Sequence, residues 1–78
     1  MTPAEVTQRV LALAQRRFPQ AQALSAEADL FTSLGIDSVQ ALELLTELER
    51  EFGVEVPDYE LLDVRSFADL AQRVSARL

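Results

Sequence analysis

Seventy-eight residues, 49% hydrophobic and 26% charged with only 2 Gly and 3 Pro, make one small folded domain whose thin core leaves no room for a deep, enclosed catalytic cavity. Thirteen acidic residues against seven basic ones give a formal net charge of −6, which repels nucleic-acid phosphate and anionic lipid head groups and makes basic protein surfaces the natural partners. Cys and His are both absent, which excludes disulfides, thiolate nucleophiles, Cys/His metal sites and unaided acid–base catalysis near neutrality.

The first helix is announced by Thr2-Pro3-Ala4-Glu5: Thr2 caps, Pro3 suits the first helical position and Glu5 completes a capping box. Val6, Val10, Leu13 and Ala14 give it one apolar stripe, and Phe18-Pro19 ends it, so the helix is predicted from Pro3 to Arg17. A long connection follows from Phe18 to Asp37, within which Ala26 to Ser33 is expected to make a short helical turn, with Phe31 and Leu34 as core anchors. The second long helix starts where Asp37 caps and Gln40, three later, completes a capping-box variant, and it stops at Gly53. At 100° per residue, Ala41, Leu44, Leu45, Leu48 and Phe52 share the inner arc with Leu42 at its margin, while Val39, Gln40, Glu43, Glu47 and Arg50 face outward. An outward valine beside an outward serine at a helix start needs a reason.

Val54-Glu55-Val56-Pro57 is too short and isolated for a sheet, and Pro57-Asp58 turns into a brief helix from Tyr59 to Leu62. Tyr59 is expected as packing or at a rim. In the last helix Ser66 caps with Asp69, and Phe67, Leu70, Ala71, Val74 and Leu78 keep an apolar stripe to the final residue. The expected architecture is all-α: a small four-helix bundle of three main helices and one short one, with a long first loop, spanning residues 1–78 as a single domain. The initial Met and the length suggest a freestanding chain. No apolar run approaches the roughly 20 residues needed to cross a bilayer, and the N-terminus lacks the order of a secretion signal, so a cytoplasmic monomer is expected.

From Asp29 to Asp63 there are ten acidic residues and one basic one, Arg50, whereas both flanks are slightly basic. Such a face is either a solvated helix surface or an electrostatic docking surface, which speeds encounter more than it adds affinity. Arg50 is expected to pair along the helix with Glu47 or Thr46. A dedicated metal site is not expected, because the spacing of a calcium loop is missing. No phosphate-gripping glycine loop can be written around Gly35 and Gly53.

Leu34-Gly35-Ile36-Asp37-Ser38 at the head of an acidic helix, followed at the matching distance by Glu51-Phe52-Gly53-Val54-Glu55-Val56-Pro57-Asp58, resembles the acyl carrier protein family, over Leu30 to Leu70 in particular. The resemblance implies that Ser38 carries, through a phosphodiester, a 4′-phosphopantetheine arm transferred from coenzyme A by a phosphopantetheinyl transferase. It implies a non-catalytic carrier that holds acyl groups as thioesters and delivers them to basic-faced acyl-transfer, condensing or tailoring enzymes of fatty-acid or polyketide synthesis. Asp37 would lie beside the modified site, and Val39, Gln40, Glu43 and Glu47 would meet the partners. Acyl cargo would fold back among Leu45, Leu48, Leu61, Leu62 and Val64. Family members often have Leu and then an acidic residue after the serine, where this chain has Val39 and Gln40. Two other readings stand beside this one: an aminoacyl or peptidyl carrier of a nonribosomal pathway, which Asp37 disfavours, and an acidic helical interaction module without prosthetic group.

Overall fold

A computed structural model describes residues 1–21 and 23–78. Four α-helices and one 3-10 helix are present in it: α1 (Pro3–Arg17), α2 (Leu30–Leu34), α3 (Ser38–Phe52), the 3-10 helix (Asp58–Asp63) and α4 (Phe67–Ser75). The described residues form no strand, only an isolated antiparallel bridge between Asp29 and Ser66. Each α-helix begins where an oxygen-bearing side chain takes up a first-turn amide that the helix itself cannot satisfy. Thr2, Asp37 and Ser66 do so reciprocally with Glu5, Gln40 and Asp69, and Asp29 accepts the Thr32 N–H. The predicted bounds of α1 and the predicted ends of α3 are therefore the observed ones.

The long connection departs from expectation. The short helix covers Leu30–Leu34 rather than Ala26 to Ser33, because its cap is Asp29 and because the Ala26 carbonyl instead accepts the Ala68 N–H at 2.8 Å. The Leu30 N–H likewise donates to the Arg65 carbonyl at 2.7 Å. These two backbone bonds stitch the loop to the entrance of α4 and so fix α2, the element that leads into α3. Beyond Pro57 the brief helix is a 3-10 helix over Asp58–Asp63 with no side-chain cap. The last helix stops at Ser75, so Leu78 lies exposed and outside the apolar stripe.

α1 packs chiefly on α4, and α3 closes over both. Phe67, Leu30, Leu44, Leu45, Leu48, Leu70, Val6, Val10, Val64 and Val74 are wholly buried there, each contributing about 1.5–3 kcal/mol. Among the described residues the one buried charged residue is Glu60, 9% exposed. Its carboxylate accepts hydrogen bonds from Arg73 (3.3 Å) and from Arg77, and so ties the 3-10 helix to the end of α4. Two guanidiniums satisfy a carboxylate that would otherwise lose its hydration without compensation.

Glu60→Ala is expected to destabilise the chain by about 1–3 kcal/mol, and Glu60→Gln by less, as a lowered urea midpoint at unchanged slope. Wild-type stability in the alanine variant would remove this role. Hydrogen bonds from the backbone N–H groups of Thr2, Thr32 and Ser66 hold the carboxyls of Glu5, Asp29 and Asp69 below their ordinary range. A carboxyl that titrates lower folded than unfolded stabilises the fold above its unfolded value and loses that contribution as pH falls through the folded one. Thermal unfolding is therefore expected to hold its midpoint from neutrality to about pH 4 and to fall below it; a midpoint that rises below pH 4 would contradict this.

Candidate functional site

α2 ends at Gly35, whose φ of 65° is the left-handed conformation that a side chain disfavours. The Gly35 and Ile36 amides both donate to the Phe31 carbonyl, at 2.8 and 3.2 Å. Ile36 turns inward into the core, and Asp37 takes extended backbone (φ −96°, ψ −178°) as the cap of α3. Its carboxylate accepts the Gln40 N–H at 2.9 Å while the Gln40 side-chain oxygen accepts the Asp37 N–H at 3.3 Å. Asp37 and Gln40, both expected at the site, thus each commit one side-chain oxygen to shaping it. Ser38 is the first residue of α3 and is exposed, as is Val39 at 65%. The Ser38 and Val39 amides have no hydrogen-bond partner among the described residues, so the first turn keeps free donors at the positive end of the helix.

Beside Ser38 opens an apolar cleft of about 290 Å³, with walls that include Phe31, Leu42, Asp58, Tyr59, Leu61 and Leu62. Tyr59 and Leu62 stand 69% and 83% exposed at its rim. Of the residues expected around a folded-back acyl chain, Leu61 and Leu62 line this cleft, whereas Leu45, Leu48 and Val64 lie in the core of the bundle. Phe31, expected as a core anchor, is half-buried and forms a wall. Leu42 had a legible signal, its place at the margin of the inner arc of α3. Asp58 and Phe31 had none, since only the tertiary fold brings them to Ser38.

Glu43 and Glu47 lie on the outer face of α3, but neither is free. The Arg17 guanidinium at the end of α1 spans both, Nη2 to Glu43 Oε2 and Nε to Glu47 Oε1, each at 3.4 Å. One turn further along, Arg9 meets Glu51 at 3.6 Å. The expected pairing of Arg50 does not occur: Glu47 takes Arg17, the Thr46 hydroxyl donates to the Leu42 carbonyl, and Arg50 has no ion pair among the described residues. α1 lies close enough to α3 to supply the arginine that periodicity along α3 could not reveal. Among the described residues no three acidic side chains converge as metal ligands, and no helix is long and apolar enough to cross a membrane.

A family model described as the phosphopantetheine attachment site matches residues 8–74. An acyl carrier protein of Rickettsia bellii is 30% identical over 70 residues, which are 88% of this chain and 81% of that one. Acyl carrier protein 2, mitochondrial, of Arabidopsis thaliana is 37% identical over 68 residues, 86% of this chain and 53% of that one. A solved Mycobacterium tuberculosis chain, provisionally described as an acyl carrier protein, superposes with a TM-score of 0.80 at 25% identity, covering 91% of this chain and 96% of the other. An exposed hydroxyl on a first turn with free amides, next to an apolar cleft, suits a phosphate-linked arm. The chain belongs to the acyl carrier protein family, whose members are non-catalytic carriers that hold a covalent 4′-phosphopantetheine arm, receive it from a phosphopantetheinyl transferase and serve biosynthetic enzymes.

Proposed function

We propose that Ser38 is the residue that bears the arm, and that the carrier serves fatty-acid or polyketide synthesis. The observation that carries this is the position of the Ser38 hydroxyl: exposed, first in a doubly capped helix, and on the edge of the apolar cleft. When bound, the arm supplies a terminal thiol that holds acyl groups as thioesters, the nucleophile that a chain without Cys lacks. The chain's own residues do the rest. Asp37 and Gln40 fix where the helix starts, and the free Ser38 and Val39 amides offset the charge of a phosphodiester. Leu42, Phe31 and Leu62 offer apolar surface to an arm or to the first carbons of its cargo.

The exposed Val39, Tyr59 and Leu62 give partner enzymes an apolar contact around Ser38, and the acidic face of α3 gives them a charge to approach. Phosphopantetheinyl transferase and basic-faced condensing, acyl-transferring and tailoring enzymes are the partners this surface fits, with Glu43, Glu47 and Gln40 in the contact. Asp37 before the serine favours an acyl over a peptidyl carrier. A monomer acting in the cytoplasm completes this reading.

Incubation with coenzyme A, Mg²⁺ and a broad-specificity phosphopantetheinyl transferase is expected to add one phosphopantetheine to the wild-type mass and none to Ser38→Ala, which should fold and melt as the wild type does. Loading of the alanine variant, or no loading of the folded wild type by an active transferase, would overturn the assignment.

A further inference from the structure

The acidic pair on the outer face of α3 is already engaged from within the chain. Glu43 and Glu47 are one helical turn apart, a spacing at which like charges repel. Arg17 sits between them with one nitrogen on each carboxylate, both at 3.4 Å. The guanidinium is held in that place from behind: its carbon lies 5.4 Å from the centre of the Phe18 ring, within cation–π range, and Phe18 is itself buried in the core. Arg17 therefore does not have to be recruited from a freely rotating surface side chain. A flat fork that meets two carboxylates is also the geometry by which an arginine on another protein would grip them.

We propose that Arg17 is an intramolecular rival of the partner enzymes' basic residues for Glu43 and Glu47, so that docking through α3 exchanges one guanidinium for another. This rests on the reading that these two carboxylates meet partners. Both ion pairs are exposed on either side, so each is weak and can be displaced. The partner it fits is a protein that presents arginine in a paired or forked arrangement, able to replace both bonds at once. A surface with one isolated lysine gains less, because a point charge cannot span the pair. Arg17 thereby lowers attraction to basic surfaces in general and leaves it to those that can complete the exchange, which makes it a selectivity element on the α1 side of the docking face.

The test follows kcat/KM for loading of the arm by a basic-faced phosphopantetheinyl transferase, for wild type, Arg17→Gln, Glu43→Gln/Glu47→Gln and the triple variant, at about 0.02 M and about 0.3 M salt. Arg17→Gln is expected to raise kcat/KM about two- to fivefold at low salt, with the gain lost at high salt and absent in the triple variant relative to the double. Arg17→Lys, which keeps the charge and loses the fork, should fall between wild type and Arg17→Gln and serves if the glutamine variant folds poorly. If the double variant loads more slowly but Arg17→Gln is unchanged or slower, the rivalry is overturned while the docking reading stands. If the double variant loads as fast as the wild type, the docking reading fails and takes the rivalry with it.

Discussion

Everything at the site depends on three residues that turn the chain out of one helix and into the next. Between the last residue of α2 and the first of α3 lie only Gly35, Ile36 and Asp37. Gly35 reverses the backbone, Ile36 anchors it in the core, and Asp37 locks with Gln40 to set the residue at which α3 begins. A slip of one residue would rotate α3 by about 100° and carry the serine to another face, away from the cleft. The same slip would turn Leu44, Leu45 and Leu48 out of the core, so the packing that stabilises the fold also fixes the direction in which Ser38 points.

Most of the thirteen acidic residues do not stand as free carboxylates on this surface. Asp29, Asp37, Glu5 and Asp69 are spent on helix starts, Glu49 accepts the Val56 N–H, Glu60 holds Arg73 and Arg77, and Glu51 meets Arg9. Glu43 and Glu47 share Arg17. Asp58 and Asp63, at the two ends of the 3-10 helix, have no ion pair among the described residues, and Asp58 lines the cleft together with exposed Tyr59 and Leu62. A charge run along a sequence is therefore a poor map of where a partner feels charge. The fold has already matched most of these carboxylates to local donors, and matched pairs act at shorter range.

Helix starts and stops were legible because they are local: Thr2, Asp37, Ser66 and Gly53 each act within a turn of themselves. The inner arc of α3 was legible for the same reason, and the pentad ending at Ser38 carried the family. What stayed hidden is what joins distant segments. Nothing in the sequence near Ala26 announces that its carbonyl binds Ala68, which is why the short helix starts at Leu30 rather than four residues earlier. Glu60 reads as one more surface acid until Arg73 and Arg77 arrive from the last helix. Arg17 reads as the basic end of α1 until α1 is laid against α3. The cleft wall at Phe31 belongs to the same class, since it needs α2 to be pinned before it faces α3.

In the proposed carrier the arm is borne on a helix start that is already formed, over a core that does not respond to it. Backbone amide chemical shifts of the apo chain and of the arm-bearing chain test this most directly. The predicted result is a set of shifts confined to Ser38, its neighbours in the first turn of α3, and the cleft at Phe31, Leu42 and Tyr59 to Leu62, with α1 and α4 unmoved. Shifts spread through α1 and α4, or none at the start of α3, would contradict it.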